Sequence, residues 1–362
     1  MSTAVTPAPR PAAAGPVPAA PPAEGSTPVA PGASGRANAR RLAAASALVL
    51  VLAVVSTFVG VLDVTPWSLG NQLVTGDLDG FRASMEIIAV SRFPRTASVV
   101  LAGLALSVAG LIMQLMVRNK FVEPSTVGTV ESAQAGLLVV TLLLPSAPLL
   151  LKMGTASVFA VAGTALFLLV LQRIPLRSAL LVPLVGIMLG NVIASVTTFF
   201  AYRFDLLQTL NAWMLGDFSG VLRGRYELLW LVLVLTVVGY VAADRFTVAG
   251  MGHEFTTNLG IDHRKVMALG MTLVALISAV VVVTVGSIPF LGLVVPNLVS
   301  MLVGDNSRRT VPWVAVFGAG FVLACDIVAR VIRYPYEIPV GTVVAVVGGA
   351  LFLTMLLRGR HR

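Results

Sequence analysis

The sequence predicts an all-α, polytopic membrane protein of about ten transmembrane helices. Three observations support this fold class: 57% of the 362 residues are hydrophobic, only 11% are charged, and the apolar residues fall in long runs. A soluble domain carries roughly 25% charged residues, and about 20 apolar residues are enough for a helix to cross the hydrocarbon core of a bilayer. The composition therefore excludes a soluble globular protein.

Residues 1–40 are the first predicted region, a disordered cytoplasmic tail rich in proline and alanine. The segment has no apolar periodicity and cannot bury enough surface to offset the entropy of ordering. A secretory signal peptide is the competing interpretation. The apolar stretch begins only after Arg40 and Arg41 and continues into a full-length span without a clear cleavage site, so we expect an uncleaved anchor.

Residues 41–362 are the second predicted region, a single transmembrane domain. Hydropathy defines its spans to within several residues. The eighth span is short and contains Pro296, which predicts a broken helix. The ten predicted spans are 42–62, 95–116, 126–144, 154–171, 179–201, 228–243, 266–285, 290–303, 312–332 and 338–357.

The basic residues predict the orientation of these spans, since ten crossings place both termini on one side. With a cytoplasmic N-terminus, 16 of the 25 lysine and arginine residues lie on the inner side and nine on the outer side. Cytoplasmic loops carry the excess of Lys and Arg, so we expect both termini in the cytoplasm. The arginines fall in twos and threes between apolar runs, and this spacing argues against nucleic acid as a partner.

The sequence contains no recognisable catalytic or metal-binding motif. Neither a phosphate-binding GxxxxGK[ST] loop nor an HExxH motif is present, and the chain has only three histidines and one cysteine. Asp326 could serve as a proton relay in a secondary transporter. It lies four residues before Arg330, however, so an ion pair on one helix face is the simpler interpretation. We therefore expect no enzymatic activity, no cofactor and no metal.

Two charged loops are not explained by membrane insertion alone. Arg92–Arg95, with the sequence RFPR, stands at the outer end of the second predicted span and brings two arginines without an evident partner to the less basic side. The longest polar inner loop ends at Lys265 and carries Phe255, Leu259 and Ile261 at near-helical spacing. This spacing predicts a short helix pressed into the groove of a cytoplasmic partner, and a solvated connector is the alternative.

From about residue 45 to its C-terminus, the chain resembles the permease subunits of ABC importers for ferric siderophores and cobalamin, the FecCD-like family. The order and spacing of several motifs carry this resemblance. They are Arg92–Arg95, Ala109–Gly110 with Gln114, Arg118–Asn119, Glu123–Pro124, Gly128, Asn258–Gly260, Gly286–Pro296, Cys325–Arg330 and Glu337–Gly341.

The resemblance implies a subunit of a bacterial plasma (inner) membrane importer. Such a subunit pairs with a second permease around a central pathway, with a pair of cytoplasmic ATPases below and a siderophore-binding lipoprotein above. ATP hydrolysis belongs to the ATPase chain. The implied site residues are Arg92, Arg95 and Arg330 for docking of the binding protein, Glu254, Leu259, Gly260 and Ile261 for coupling to the ATPase, and Asn119 and Phe121 for a cytoplasmic gate.

Two departures from the common family pattern narrow the expected substrate. Asn297 follows Pro296 where many relatives have histidine, and Lys120–Phe121 follow Asn119 where many have Pro-Leu. Both variants resemble the subgroup that imports catecholate-type or petrobactin-like ferric siderophores, in which the second permease is usually a different chain. We therefore expect a ferric siderophore and a heterodimer. The alternatives are a cobalamin or haem permease and, from another class, a secondary transporter.

Overall fold

The structure of the protein is a computed structural model that describes residues 31–60, 62, 64–173, 181–251, 256, 260–304 and 307–359. The chain divides into two compact units, residues 1–41 and residues 42–362. The predicted tail lies outside the described residues up to residue 30, and a helix begins at Pro31, before the predicted boundary at residue 40. Proline is favoured at the first position of a helix, and no other proline interrupts residues 32–41.

The described residues form α-helices joined by short connections, and no strand occurs among them. A π-helical turn, Ile88–Arg92, joins the helices Leu78–Ile87 and Phe93–Val117, and a 3-10 turn, Pro124–Val127, precedes the helix Thr129–Leu143. The helices are α1 (Pro31–Phe58), α2 (Pro66–Thr75), α3 (Leu78–Ile87), α4 (Phe93–Val117), α5 (Thr129–Leu143), α6 (Leu149–Gln172), α7 (Leu181–Arg203), α8 (Leu207–Trp213), α9 (Leu229–Val241), α10 (Ala243–Gly250), α11 (His263–Val285), α12 (Leu291–Val303), α13 (Ser307–Val331) and α14 (Val340–Gly359).

The predicted all-α polytopic fold is confirmed. Within the described part of the chain, seven helical stretches are long and apolar enough to cross a membrane, and α9 with α10 gives an eighth if this pair, bent by 57°, counts as one span. Helices α5 and α12 are shorter and apolar. Each of the ten predicted spans overlaps one of these elements. The second is longer than predicted, because helical structure runs without a break from Leu78 to Val117.

The predicted break at Pro296 is wrong, because α12 continues through this residue from Leu291 to Val303. Proline has no N–H to donate to the carbonyl four residues earlier, which here is that of Gly292. The Gln114 side chain supplies the missing donor, with its Nε2 3.1 Å from the Gly292 oxygen. A side chain of α4 therefore compensates for the proline in α12.

Helix α4 is the central helix of the second unit, and small residues bring its neighbours close. In the stretch that contains it, 83% of the most apolar window is buried. A Cβ on Gly103 would lie 2.7 Å from the Gly318 oxygen of α13, and a Cβ on Gly110 would lie 2.5 Å from the Gly292 carbonyl carbon of α12. Such glycines allow helix backbones to approach closely in lipid, so α4 holds α12 and α13 in fixed positions.

Candidate functional site

Arg92, Arg95 and Arg330 lie together at one end of the helix bundle, where α4 begins and α13 ends. With two acidic residues they form what we call the arginine cluster: Arg92, Arg95, Asp326, Arg330 and Glu337. Arg95 donates to Asp326 Oδ1 from Nε at 3.1 Å and from Nη2 at 2.9 Å. Its Nη1 donates to Glu337 Oε2 at 2.6 Å. Arg95 is thus held between two carboxylates of its own chain.

The Asp326 carboxylate is the buried centre of the cluster, with a fully inaccessible side chain. Its Oδ2 accepts hydrogen bonds from Arg330 Nη2 and, at 3.3 Å, from Ser56 Oγ. The predicted ion pair between Asp326 and Arg330 on one helix face is therefore present. A carboxylate buried this deeply remains charged only when it is paired, and here two guanidinium groups and a hydroxyl surround it.

Arg330 uses all of its hydrogen-bonding capacity inside the protein. Its Nη1 donates to the backbone oxygens of Ser56 at 2.8 Å and Val59 at 2.6 Å, and its Nη2 donates to Ser56 Oγ at 2.6 Å. The remaining N–H groups reach the backbone and the carboxylate of Asp326. Since a guanidinium has five N–H groups, Arg330 has none to spare, and it binds one carbonyl in the last turn of α1 and one just after that helix.

Arg92 is buried and holds the connection between α1 and α2. Its Nη1 donates to the backbone oxygens of Val64 at 2.9 Å and Phe58 at 3.2 Å, and its Nη2 donates to that of Leu62. The expectation that the two arginines of the RFPR segment lack partners is therefore wrong. The acceptors lie 28 to 34 positions away in the chain, where no local sequence pattern reveals them.

A cleft of about 250 Å³ adjoins the arginine cluster on the side of α1. Its walls include Arg330, Glu337 and Tyr334, together with the residues that end α1. The Glu337 side chain is 28% exposed, whereas that of Arg95 is 11% exposed and that of Asp326 is inaccessible. Glu337 is thus the most accessible member of the two ion pairs that Arg95 makes.

The residues predicted as a gate lie at the other end of α4. Asn119 is buried, and its Oδ1 accepts the Phe121 N–H at 2.9 Å. The Phe121 ring meets the edge of Phe352 of α14, with 6.1 Å between the ring centroids. Asn297 of α12 donates from Nδ2 to the Lys120 backbone oxygen at 2.7 Å. The segment is therefore tied to both α12 and α14.

Two residues near this segment received no role from the sequence. The Glu123 carboxylate is buried, and its Oε1 accepts the Phe290 N–H at 3.1 Å and the Ser125 hydroxyl at 2.7 Å. It thereby caps the start of α12, where Phe290 has a left-handed backbone with φ of 63°. The second of these residues is Asn297. The sequence drew attention to Glu123 through the Glu123–Pro124 motif and to Asn297 through its departure from the family pattern, but neither feature indicated which groups the side chains contact.

The predicted coupling segment is described only in part. Glu254 and Leu259 lie outside the described residues. Gly260 has a left-handed backbone with φ of 72° and open space where a Cβ would stand, and the Ile261 N–H donates to the Thr256 oxygen at 3.1 Å.

Asp262 follows directly and caps α11. Its Oδ1 accepts the Lys265 N–H at 3.2 Å, and this backbone hydrogen bond, with the nearby Lys265 ammonium, lowers the pKa of the Asp262 carboxyl. Among the described residues, no group of three or more His, Cys, Asp or Glu side chains could hold a metal ion.

Comparison with known proteins adds a family and two sequence relatives. The sequence pattern of the FecCD transport family matches residues 48–358. The petrobactin import system permease protein YclN of Bacillus subtilis (strain 168) is 50% identical over 268 residues, which are 74% of this chain and 85% of the relative. The ferric-anguibactin transport system permease protein FatD of Vibrio anguillarum (strain ATCC 68554 / 775) is 42% identical over 278 residues, which are 77% and 88% of the two chains.

A solved structure shares the fold. It is a metal-chelate type ABC transporter in an inward-facing conformation, which matches with a TM-score of 0.71 and 23% sequence identity. The match covers 88% of this chain and 99% of that chain. At this identity the similarity establishes the architecture alone.

Proposed function

The chain belongs to the FecCD transport family, and from this premise we propose that it is the transmembrane permease subunit of an ATP-driven ABC importer that carries ferric siderophore complexes into the cytoplasm. The observation that carries the proposal is its identity of 50% and 42% to permeases of the petrobactin and anguibactin systems over about three quarters of the chain. The bundle of apolar helices supplies the membrane-spanning fold that such a subunit requires.

The alternative substrates and mechanisms are less well supported. Cobalamin and haem are disfavoured because both relatives named above belong to siderophore systems. A proton-coupled secondary transporter would need an ionisable side chain free to exchange protons within the membrane. Asp326, the candidate for that role, is held by Arg95 and Arg330, which favours a structural role.

We propose that the importer contains the partners expected of such a subunit: a pair of cytoplasmic ATPases, an extracytoplasmic siderophore-binding lipoprotein, and a second permease that is a different, related chain. We also propose a plasma (inner) membrane location with both termini in the cytoplasm. The distribution of basic residues supports this orientation, since 16 of 25 then lie on the inner side.

The positions of the candidate residues along α4 support a division of labour between its ends. The 25 residues of this helix separate the arginine cluster from the Asn119 segment by about 38 Å. The end of α10, just before the coupling segment, packs against the end of α4 near Leu115, where a Cβ on Gly250 would collide with the Leu115 oxygen. The end of α10 that leads into the proposed coupling segment thus lies near the Asn119 segment, whereas Arg92, Arg95 and Arg330 lie at the opposite end of α4.

We propose that the arginine end, with Arg92, Arg95 and Arg330, docks the binding protein. At the opposite end, ATP-driven closure of the ATPase pair would act on the segment that includes Glu254, Leu259, Gly260 and Ile261. Movement of this segment would be transmitted to Asn119 and Phe121, which would open or close the cytoplasmic end of the pathway as a rigid-body alternation between two packed states.

Uptake of iron from single sources tests the proposed substrate class. A strain in which the gene is deleted should fail to take up radioactive iron supplied as a ferric petrobactin-type siderophore. The same strain should still take up iron supplied as a ferrous salt. Complementation with the intact gene should restore siderophore uptake. Uptake of the ferric siderophore at the parental rate in the deletion strain would contradict the proposal.

A further inference from the structure

The contact between Arg95 and Glu337 is the outermost interaction of the arginine cluster. Nη1 of Arg95 and Oε2 of Glu337 are 2.6 Å apart, and Glu337 is the more exposed partner at 28% of its side chain. Nε and Nη2 of the same guanidinium point inward to the inaccessible Asp326. Of these two partners, Glu337 is the one that lines the adjoining cleft, so it is the more accessible from outside the bundle.

Donor counting distinguishes Arg95 from its neighbour Arg330. Arg330 uses all five of its N–H groups inside the protein, and five of its hydrogen bonds go to Ser56, Val59 and Asp326. Arg95 uses three, one from each nitrogen. One N–H on Nη1 and one on Nη2 remain for a new acceptor. A carboxylate that takes the place of Glu337 on Arg95 can also receive hydrogen bonds from these two N–H groups, whereas Arg330 would first have to lose an internal partner.

The two carboxylates on Arg95 differ in how readily they can leave. Removing one partner of a buried ion pair leaves an uncompensated buried charge and is strongly unfavourable, so the Asp326 contact is permanent. The Glu337 contact is partly exposed, so water screens it more than the Asp326 contact and its loss costs less. Glu337 can therefore rotate into solvent more readily than Asp326 can leave, provided that another acidic group replaces it on Arg95.

The surroundings of Glu337 allow such a rotation. The backbone on both sides of Glu337 is anchored, since the Tyr336 N–H donates to the Arg333 oxygen at 2.9 Å and the Ile338 N–H donates to the Ala329 oxygen at 3.1 Å. The side chain itself borders the cleft of about 250 Å³ that also contacts Arg330. Exchange of one carboxylate for another thus requires movement of a side chain and not of the loop.

We propose that Glu337 occupies, in the free permease, the place on Arg95 that a carboxylate of the extracytoplasmic partner protein takes when that partner docks. The proposal rests on the docking role proposed above for this end of the bundle. Glu337 supplies Arg95 with a paired carboxylate when no partner is bound, and it competes with the partner's carboxylate for Arg95 when the partner docks. The partner is a protein that presents an Asp or Glu side chain to the cleft, because only a carboxylate replaces Glu337 without leaving the cluster with an added positive charge.

Binding measurements on the complete importer test this exchange. The probe is the binding protein that stimulates ATP hydrolysis by the wild-type importer in lipid nanodiscs. Glu337→Gln removes the competing charge and should tighten binding of this protein by about three- to tenfold. Glu227→Gln is the matched control, since Glu227 is also exposed and its neighbour Tyr226 packs on Phe93 of the RFPR segment. It should leave the affinity unchanged.

A double-mutant cycle shows whether the effect passes through Arg95. In an Arg95→Gln background, Glu337→Gln should give no gain in affinity, because the residue for which the two carboxylates compete is absent. A gain that persists in that background, or an affinity of Glu337→Gln equal to or weaker than wild type, would overturn the proposal. The single Glu337→Gln variant keeps the Asp326 contacts and decides the matter alone if Arg95→Gln does not fold.

The wild-type importer separates failure of this exchange from failure of the proposed function. If no binding protein associates with the wild-type complex or stimulates its ATPase, the proposed function is wrong. If the binding protein docks and stimulates ATP hydrolysis, but Glu337→Gln and Glu227→Gln bind alike, then only the exchange is wrong.

Discussion

Arg95 and Asp326 lie 231 positions apart in the chain, yet two hydrogen bonds of 3.1 and 2.9 Å join the Arg95 guanidinium to one oxygen of the Asp326 carboxylate. The pair connects the start of α4 to the last turns of α13. Because Asp326 is inaccessible to solvent, water does not screen this interaction as it would a surface ion pair. The pair is therefore a fixed part of the bundle to which more exposed groups attach.

Replacement of the central carboxylate should destabilise the protein. Asp326→Asn leaves two buried guanidinium groups, those of Arg95 and Arg330, without their shared counter-charge. Loss of one partner from a buried ion pair costs about 3 to 5 kcal/mol, so we expect a loss of about 3 kcal/mol or more in the free energy of unfolding. Denaturation of the purified permease in detergent measures the change.

The control for this variant is Asp205→Asn. Asp205 is exposed and has a left-handed backbone with φ of 56°, which asparagine tolerates. We expect a change within about 0.5 kcal/mol. Equal stability of Asp326→Asn and Asp205→Asn would show that the cluster does not depend on its central charge.

A methyl group between α4 and α12 should disturb their packing. In Gly110→Ala the new Cβ would lie 2.5 Å from the Gly292 carbonyl carbon, so the helices must separate. Overpacking of this kind costs about 1 to 3 kcal/mol. Gly154→Ala in α6 is the matched control, since a Cβ there meets nothing within 4 Å, and alanine favours a helix by about 1 kcal/mol over glycine. Thermal unfolding should lower the midpoint of the first variant only, and equal midpoints would contradict the close approach.

Backbone strain at Gly260 should weaken coupling to the ATPase. With φ of 72° and open space around the Cβ position, alanine at residue 260 would suffer conformational strain of about 1 to 2 kcal/mol without any clash. We expect Gly260→Ala to reduce the stimulation of ATP hydrolysis by the loaded binding protein. Gly260→Asn should retain more of it, because asparagine adopts this conformation more readily. Full stimulation in both variants would identify the segment as a connector.

The stability of the first turn of α11 should depend on pH through its N-cap residue, Asp262. The Lys265 N–H bonds to Asp262 and lowers the pKa of its carboxyl, so the ionised form favours the folded cap. This contribution is present at neutral pH and is lost as the pH falls through the lowered pKa. Amide hydrogen exchange in the first turn of α11 should be faster in Asp262→Ala than in wild type at pH 7, and the difference should shrink in acid.

Asparagine provides the control for that titration. Asp262→Asn keeps a side-chain acceptor at the N-cap but has no carboxyl to titrate, so its exchange should lack the pH-dependent difference. If wild type and Asp262→Ala exchange alike at neutral pH, the hydrogen bond from Lys265 does not stabilise this helix end.

The order of the helices could be predicted from the sequence because each span is a local property. Long apolar runs bounded by charged or proline-containing segments require no knowledge of distant residues. The continuity of α12 could not be predicted in this way. Pro296 favoured a break in the helix, and only the three-dimensional position of Gln114, which donates to the Gly292 oxygen, explains why the helix continues.

The three arginines proposed for docking could be named from the sequence, but the hydrogen-bond partners of Arg92 could not. The pair of Asp326 with Arg330 was predictable, since four residues on one helix bring two side chains together. The acceptors of Arg92 are backbone oxygens of the segment between α1 and α2, and every residue has such an oxygen. No sequence pattern therefore distinguishes an arginine buried among carbonyls from one exposed to a partner.

Uptake by proteoliposomes that contain the complete importer tests most directly whether this chain is the permease of an ATP-driven siderophore importer. The vesicles hold the permease, its second permease and its ATPase pair, and they receive the binding protein loaded with a radioactive ferric petrobactin-type siderophore. Uptake should require ATP on the cytoplasmic side and should continue after a protonophore has collapsed the proton gradient. Uptake that proceeds without ATP and follows the proton gradient would contradict this function.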